Sequence, residues 1–218
     1  MTQFRDRRDA GIKLAQKLLN YAGHPDVIVL GLPRGGIPVA YEVARALHAP
    51  LDMLVVRKLG LPGHEELAIG AIAAGNIRVL NEEIIHELNI PEKVIDKVTQ
   101  RELQELQRRE HDYRGDRPAP DVRNRIVILI DDGLATGASM RAAVAVLRAL
   151  HAARIVVAVP TTAWEAREVL RREVDEIVCV TVPEPFYGVG GSYDDFSQTT
   201  DDEVRMLFED ANHQLLHG

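Results

Sequence analysis

Ile126-Val-Ile-Leu-Ile-Asp131-Asp132-Gly133-Leu-Ala-Thr136-Gly137-Ala-Ser139-Met140 decides how this chain is read. Five apolar, mostly β-branched residues run into two adjacent carboxylates, and a loop of small and hydroxyl residues follows. An apolar run of this length, bounded by polar residues, reads as a buried parallel strand. Beyond it Ala142, Ala143, Val146, Leu147 and Leu150 recur at helical spacing, so the loop joins a strand to a helix. The first amides of a helix lack internal partners, and the helix dipole favours negative charge there. Gly133 and Gly137 permit close approach and positive φ, while Thr136 and Ser139 add hydroxyl donors. An ordinary joint capped by Ser139 does not need two unpaired acids at the strand tip. A Walker loop needs Lys before its Ser or Thr, where this chain has Ala138, and a dinucleotide fingerprint needs G-x-G-x-x-G, whereas Gly133 and Gly137 lie four apart. The stretch is therefore an anion site of another kind.

Outward from it, the chain alternates strands and helices. An amphipathic helix is expected over residues 5–22, then a strand over Val27–Leu30. The strand opens into Gly31-Leu-Pro-Arg34-Gly35-Gly36-Ile-Pro38, followed by a helix to Leu47 and a strand over Leu51–Val56. Arg57 to Glu66 is polar, bears Gly and Pro and shows no period, so it reads as a loop. Ile69–Ala73 and Ile77–Leu80 flank Gly75-Asn76 as a hairpin. A short helix over Ile84–Leu88 and a longer one from Pro91 follow, the latter ending in a solvated charged surface from Arg101 to Arg114. After the central stretch come strands at Ile155–Val159 and Ile177–Val182. Thr162-Ala-Trp-Glu165 and Thr200-Asp-Asp-Glu203 have the pattern of capping boxes for two helices, the second running to about Leu215. Pro183 to Gln198, rich in aromatics, Gly and acids, reads as a long functional loop. The pattern predicts an α/β fold with a mostly parallel sheet covered by helices, and ligands at the carboxyl ends of its strands. The polar loops after Leu30, Val56 and Ile130 are expected to meet there.

Composition sets the bounds. At 218 residues, 46% hydrophobic and 27% charged, the chain suits one globular domain with a sizeable core. A net charge of −7 disfavours nonspecific binding of nucleic acid or membranes and makes any polyanion site a local affair. No apolar run approaches the ~20 residues of a membrane span, and the polar N-terminus has no signal-peptide core, so a cytoplasmic location is expected. Cys179, in an apolar run, reads as a small buried residue. The histidines outside the 57–66 stretch show no metal spacing.

The quoted stretch resembles the phosphoribosyl pyrophosphate motif of type I phosphoribosyltransferases: a hydrophobic strand, two acids, then Thr-Gly-x-Ser/Thr. The resemblance implies the type I phosphoribosyltransferase fold as a single domain over residues 1–218. A small hood would be formed by about 183–200, with the N-terminal helix as a candidate addition. It implies that Asp131 and Asp132 bind the ribose hydroxyls and that Ala135, Thr136, Gly137, Ala138 and Ser139 cradle the 5′-phosphate. Gly133 departs from the larger apolar residue usual there. Arg34, Gly35 and Gly36 resemble the family's pyrophosphate loop, where glycine amides and a charged fork meet phosphate oxygens. That loop often carries a non-proline cis peptide, expected here within 32–36, at Arg34–Gly35. Arg57-Lys58-Leu-Gly-Leu-Pro62 is similar to a segment of adenine phosphoribosyltransferases that leads into a mobile catalytic loop. Ala135 stands where the 6-oxopurine enzymes place an acid.

The implied reaction is transfer of 5-phosphoribose from phosphoribosyl pyrophosphate to a nitrogen acceptor, with release of pyrophosphate. A nucleobase of nucleotide metabolism is the candidate acceptor. Arg57 and Lys58 would neutralise the leaving group, and Glu66 would exchange a proton with the acceptor. Mg²⁺ would be held mainly through phosphoribosyl pyrophosphate, without a protein cage. Phe186, Tyr187 and Tyr193 are candidates to stack on a planar acceptor. A homodimer is expected, without nucleic-acid or membrane partners. The alternative is a non-enzymatic regulator that senses phosphoribosyl pyrophosphate.

Overall fold

The computed structural model describes residues 3–75, 77–115 and 117–217, without the side chains of residues 66 and 212–217. In chain order the elements are α1 (Arg7–Gln16), β1 (Val27–Gly31), α2 (Gly36–Leu47), β2 (Leu51–Met53), β3 (Val56–Leu61), β4 (His64–Ala73), β5 (Ile77–Leu80), α3 (Glu82–Glu87), α4 (Glu92–Arg114), β6 (Ile126–Ile130), α5 (Ala138–Ala149), β7 (Arg154–Thr161), α6 (Trp164–Leu170), β8 (Glu176–Thr181) and α7 (Asp201–His217). They fall into two compact units. One holds the chain up to Leu54, Pro120–Gly137 and everything from His151 onward; the other holds Val55–Ala119 and Ala138–Leu150.

The first unit is built on a five-stranded sheet in the order β2-β1-β6-β7-β8, all neighbours parallel. Its inner strands β1 and β6, and β7 from Ile155 to Val159, are apolar because both faces are buried. Val27, Val29, Ile128, Ile130, Val156 and Ala158 form one core with Leu14, Leu18, Val39, Val43 and Leu47 from the helical layer. The alternate residues Ile28, Leu30, Val127, Leu129, Ile155 and Val157 are buried as well. Each such side chain contributes about 1.5–3 kcal/mol relative to exposure. Gly11 lets α1 lie against α2: a Cβ there would stand 2.8 Å from the Val39 carbonyl oxygen. The expected helix over 5–22 is α1 followed by a 3₁₀ turn at Leu19–Tyr21, and Asp6 caps it by accepting from the Asp9 amide at 2.8 Å.

The expected capping boxes part ways. Thr200 accepts the Glu203 amide at 3.1 Å and starts α7. Thr162 does not cap: its hydroxyl donates to the Ala163 carbonyl, and α6 begins with no side-chain cap. Its backbone is already committed, since its amide donates to Thr181 and the next amide donates to Leu134. Cys179 is half-buried on β8 rather than buried.

The second unit has an antiparallel sheet β3-β4-β5 with α4 and α5 packed on it. Residues 57–66 are not a loop. Val56 pairs with Ala73 and Leu61 with His64, and the reversal is made at Pro62 and Gly63, with φ +83° at Gly63. The register shifts on either side of Gly60, which interrupts the alternation a strand would otherwise show. A Cβ at Gly60 would lie 2.6 Å from the Glu65 carbonyl oxygen, so the glycine is what permits the approach. The hairpin of β4 and β5 is as expected; Asn76 in its turn lies outside the described residues. The charged end of α4 is solvated only in part: Glu102, Leu106, Tyr113 and Arg114 are buried.

The sheet order places the site. From β1 the chain passes to β2 on one side, and β6 then adds on the other. Strand order therefore reverses between β1 and β6, the position where open α/β sheets form a crevice at their carboxyl ends. Gly31 is level with Ile130, so the loops that follow them start side by side.

Candidate functional site

Two loops of the first unit make the floor. After β1, the Leu32 amide donates to the Ile130 carbonyl at 2.8 Å, which ties the glycine loop to the end of β6. The Gly36 amide donates to Leu32 and the Ile37 amide to Arg34, closing a tight turn into α2. A Cβ at Gly36 would stand 2.7 Å from the Ile130 carbonyl oxygen and 3.0 Å from the Asp131 Cα, so glycine is required by close backbone approach. The cis peptide in this loop is Pro33–Arg34, one bond before the expected Arg34–Gly35. Arg34 reaches Asp201 at the start of α7, 3.8 Å away.

After β6, Leu134 makes a parallel bridge to Thr162 that carries the loop alongside β7: the Leu134 amide donates to the Thr161 carbonyl at 3.0 Å, and the Ala163 amide donates to the Leu134 carbonyl at 2.9 Å. Gly133 is small because its neighbours are large. A Cβ there would meet Val189 at 2.5 Å and Thr161 at 2.9 Å. Gly137 has φ +73°, a left-handed conformation that disfavours other residues. Ala135, Thr136 and Gly137 belong to the first unit, while Ala138 and Ser139 open α5 in the second.

Asp131 and Asp132 sit at the tip of β6 with different surroundings. The Asp132 amide donates to Asp131 Oδ1 at 2.9 Å. Burial and then the charge of Asp132 push the Asp131 carboxyl up to about 8. Burial also raises Asp132, but the charge and hydrogen bonds of Arg7 oppose it. The two titrate as a pair. Of the two carboxyls only Asp132 accepts from Arg7, which favours the negative charge of the pair on Asp132.

Arg7 is a site residue that the sequence did not disclose. Its Nε and Nη2 both stand 2.8 Å from Asp132 Oδ2, and its Nη1 donates to the Ser197 carbonyl at 2.6 Å. Its guanidinium lies 4.0 Å from the centre of the Phe196 ring. Tyr193 donates its hydroxyl to the Asp132 carbonyl at 2.6 Å, and its ring packs against Phe4 and Phe196. Burial, with the nearby Asp132 charge, pushes the Tyr193 hydroxyl well above its ordinary value, so it stays a donor. Tyr193 is only 4% exposed and fully engaged, which removes it as a stacking surface for an acceptor. Tyr187 is 86% exposed. Phe186 lines a cavity of about 670 Å³ together with Trp164, Glu165, Pro183 and Glu184.

The remaining candidates lie in the second unit, on β3 and β4 rather than on a loop. Arg57 donates through Nε and Nη2 to Glu102 Oε2, at 2.9 and 2.6 Å. Lys58 is its neighbour on β3, and Glu66 lies in β4 with its side chain outside the described set. Arg57 is therefore structural as well as cationic. Arg57→Ala strips a buried carboxylate of its bidentate partner, leaving Arg101 at 3.0 Å. Thermal denaturation should show a loss of roughly 1–3 kcal/mol; an unchanged melting temperature would make the pair energetically idle. Among the described residues, no three His, Cys, Asp or Glu side chains are grouped to hold a metal ion, and no helix is long and apolar enough to cross a membrane.

Comparison with known proteins completes the picture. The model of the phosphoribosyl transferase domain matches residues 2–194. The chain is 46% identical over 214 residues to a Mycobacterium tuberculosis protein named “Putative phosphoribosyl transferase”, covering 98% of this chain and 48% of that one. It thus spans about half the length of that relative. The crystal structure of TT1426 from Thermus thermophilus superposes with a TM-score of 0.88 at 41% identity, covering 95% of this chain and 98% of the other. A hypoxanthine-guanine phosphoribosyltransferase from Bacillus anthracis shares the fold at a TM-score of 0.52 and 10% identity, over 89% of this chain and 93% of that one.

Proposed function

The chain belongs to the phosphoribosyl transferase domain family, and on that premise we propose that it moves 5-phosphoribose from phosphoribosyl pyrophosphate to a nitrogen acceptor. One observation carries the reading. A carboxylate pair stands at the end of β6, directly beside a glycine turn on β1, at the reversal of strand order. That pairing sets acceptors for vicinal hydroxyls next to a tight glycine turn at the start of α2.

In this reading Asp131 and Asp132 accept the ribose 2′- and 3′-hydroxyls. The amides of Ala135 to Ser139, with the hydroxyls of Thr136 and Ser139, hold the 5′-phosphate. Gly35, Gly36 and Arg34 take the pyrophosphate. Mg²⁺ bound together with the sugar pyrophosphate would supply charge to neutralise the leaving group. The hood comprises 183–200 and the N-terminal segment, which pair directly: the Asp194 amide donates to Phe4 and the Asp195 amide to Arg5, both at 2.8 Å. The cavity beneath Phe186 and Trp164 takes the acceptor. Glu165 and Glu184 at its wall have no ion-pair or hydrogen-bond partner among the described residues, which favours an acceptor rich in N–H donors. The active form is a homodimer.

The test is a screen of nucleobases and amines with phosphoribosyl pyrophosphate and Mg²⁺, read as pyrophosphate. Release that depends on acceptor and is lost in Asp132→Asn is the expected outcome. Tight binding of the sugar pyrophosphate with no release for any acceptor would replace the enzyme by a sensor of that ligand.

A further inference from the structure

Asp132 is the one carboxylate of the pair with a fixed cation, and the way it is held is asymmetric. Both Arg7 nitrogens converge on Oδ2, and Oδ1 carries neither bond. Arg7 is itself held on three sides: by Asp132, by the Ser197 carbonyl and by the Phe196 face. The elements that carry it are pinned to one another. Phe4 bridges to Tyr193, the Asp194 and Asp195 amides donate to Phe4 and Arg5, and Tyr193 returns a hydrogen bond to the Asp132 carbonyl. The chain thus closes a loop from β6 through Arg7 to the 193–197 segment and back to β6.

We propose that Arg7 is a positioning residue of the sugar site: it fixes Asp132 so that Oδ2 is occupied and Oδ1 is left to accept a ribose hydroxyl. The inference rests on the reading of Asp131 and Asp132 as the ribose-binding pair. A fixed Arg7 is favoured over one that the sugar displaces, on two physical grounds. Displacement would leave a buried anion beside a second carboxyl without its counter-charge, and a neutral hydroxyl does not replace a guanidinium. It would also strand Ser197 and Phe196, which hold Arg7 through contacts independent of Asp132. Arg7 therefore does two things for Asp132. It orients the carboxylate, and it keeps it ionised where burial opposes the charge.

The test is calorimetric titration of phosphoribosyl pyrophosphate, with Mg²⁺, into the full chain and three variants between pH 6 and 9. Arg7→Gln should weaken binding about tenfold or more at pH 7. The midpoint at which affinity falls on acidification should also move to higher pH, because Asp132 without its cation takes up a proton more readily. Arg7→Lys keeps the charge but not the paired geometry, so the midpoint should stay near that of the parent while affinity drops a few-fold. A merely structural role for Arg7 would lower affinity equally at every pH. Asp132→Asn should bind weakly, which anchors the underlying reading. If Asp132→Asn binds weakly while Arg7→Gln binds as tightly as the parent or tighter, Arg7 is a plug and the inference is overturned. If Asp132→Asn binds like the parent, the reading of the pair falls and the inference falls with it. Should Arg7→Gln not fold, Arg7→Lys decides alone: tighter binding or a moved midpoint overturns the proposal.

Discussion

Asp131→Asn is expected to raise the melting temperature of the protein while it impairs binding of phosphoribosyl pyrophosphate. The cause is that Asp131 costs the fold stability. In the unfolded chain the group ionises near 3.8, whereas in the folded chain burial and the charge of Asp132 hold it at about 8. Between those values the folded state binds a proton that the unfolded state has shed. Stability of the parent therefore falls as pH rises from about 4 to about 8 and then levels off. At pH 7 the difference amounts to about 2–4 kcal/mol, since a tenfold change in a protonation equilibrium is worth ~1.4 kcal/mol. Asparagine is neutral at every pH and its side-chain oxygen can still accept the Asp132 amide, which Asp131 does at 2.9 Å. The variant should melt roughly 5–10 °C higher at pH 7. Its advantage should be small at pH 5 and full by pH 8.5. Binding should move the other way, about tenfold weaker or more, because with the amide oxygen on the Asp132 N–H the second oxygen is replaced by an NH2, which cannot accept from a sugar hydroxyl. Melting curves at pH 5, 7 and 8.5 check the first half. A variant no more stable than the parent at pH 8.5 would mean that burial and the Asp132 charge do not raise the Asp131 carboxyl.

The parallel sheet was legible because its strands are buried on both faces. Val27–Gly31, Ile126–Ile130 and Ile155–Val159 have no polar alternation to confuse, and the loop glycines follow directly. The carboxylate pair was legible for the same local reason: acids at the tip of an apolar strand have few structural uses. What failed was either irregular or remote. The stretch 57–66 showed no period because two register shifts around Gly60 break the alternation, so a hairpin presented itself as a loop. Thr162 and Thr200 carry the same capping pattern, yet only Thr200 caps, because the backbone at 162–163 is spoken for by Thr181 and Leu134. Gly133, a departure from the family pattern, makes sense only beside Val189, 56 positions away in the chain. Arg7 meets Asp132 across 125 positions, and nothing in the spacing of α1 singles it out.

Gly35→Ala should disable the same site from the opposite side. The backbone at Gly35 is right-handed helical, φ −61° and ψ −30°, so alanine adds no conformational strain. The obstacle is what the new methyl would meet: Asp132 Oδ2 at 2.0 Å and Cγ at 2.7 Å, with Arg7 Nε at 3.3 Å. Asp132 must turn away, and its turning breaks both bonds from Arg7. The damage is thus steered into one carboxylate, and the fold should lose only about 1–2 kcal/mol. Affinity for phosphoribosyl pyrophosphate should fall about a hundredfold, equivalent to ~2.7 kcal/mol of lost charged and hydrogen-bonded contacts. Gly36→Ala gives the contrasting case. Its methyl would press on the Ile130 carbonyl and the Asp131 Cα, which are backbone and cannot rotate aside. Stability should suffer there first, by roughly 1–3 kcal/mol. Combining Gly35→Ala with Arg7→Gln separates the possibilities. If both act through Asp132, the double variant should bind little worse than Gly35→Ala alone, because a carboxylate already turned away has no further use for Arg7. Losses that multiply across the two changes would show that Gly35 serves the ligand through its own amide and not through the space it leaves for Asp132.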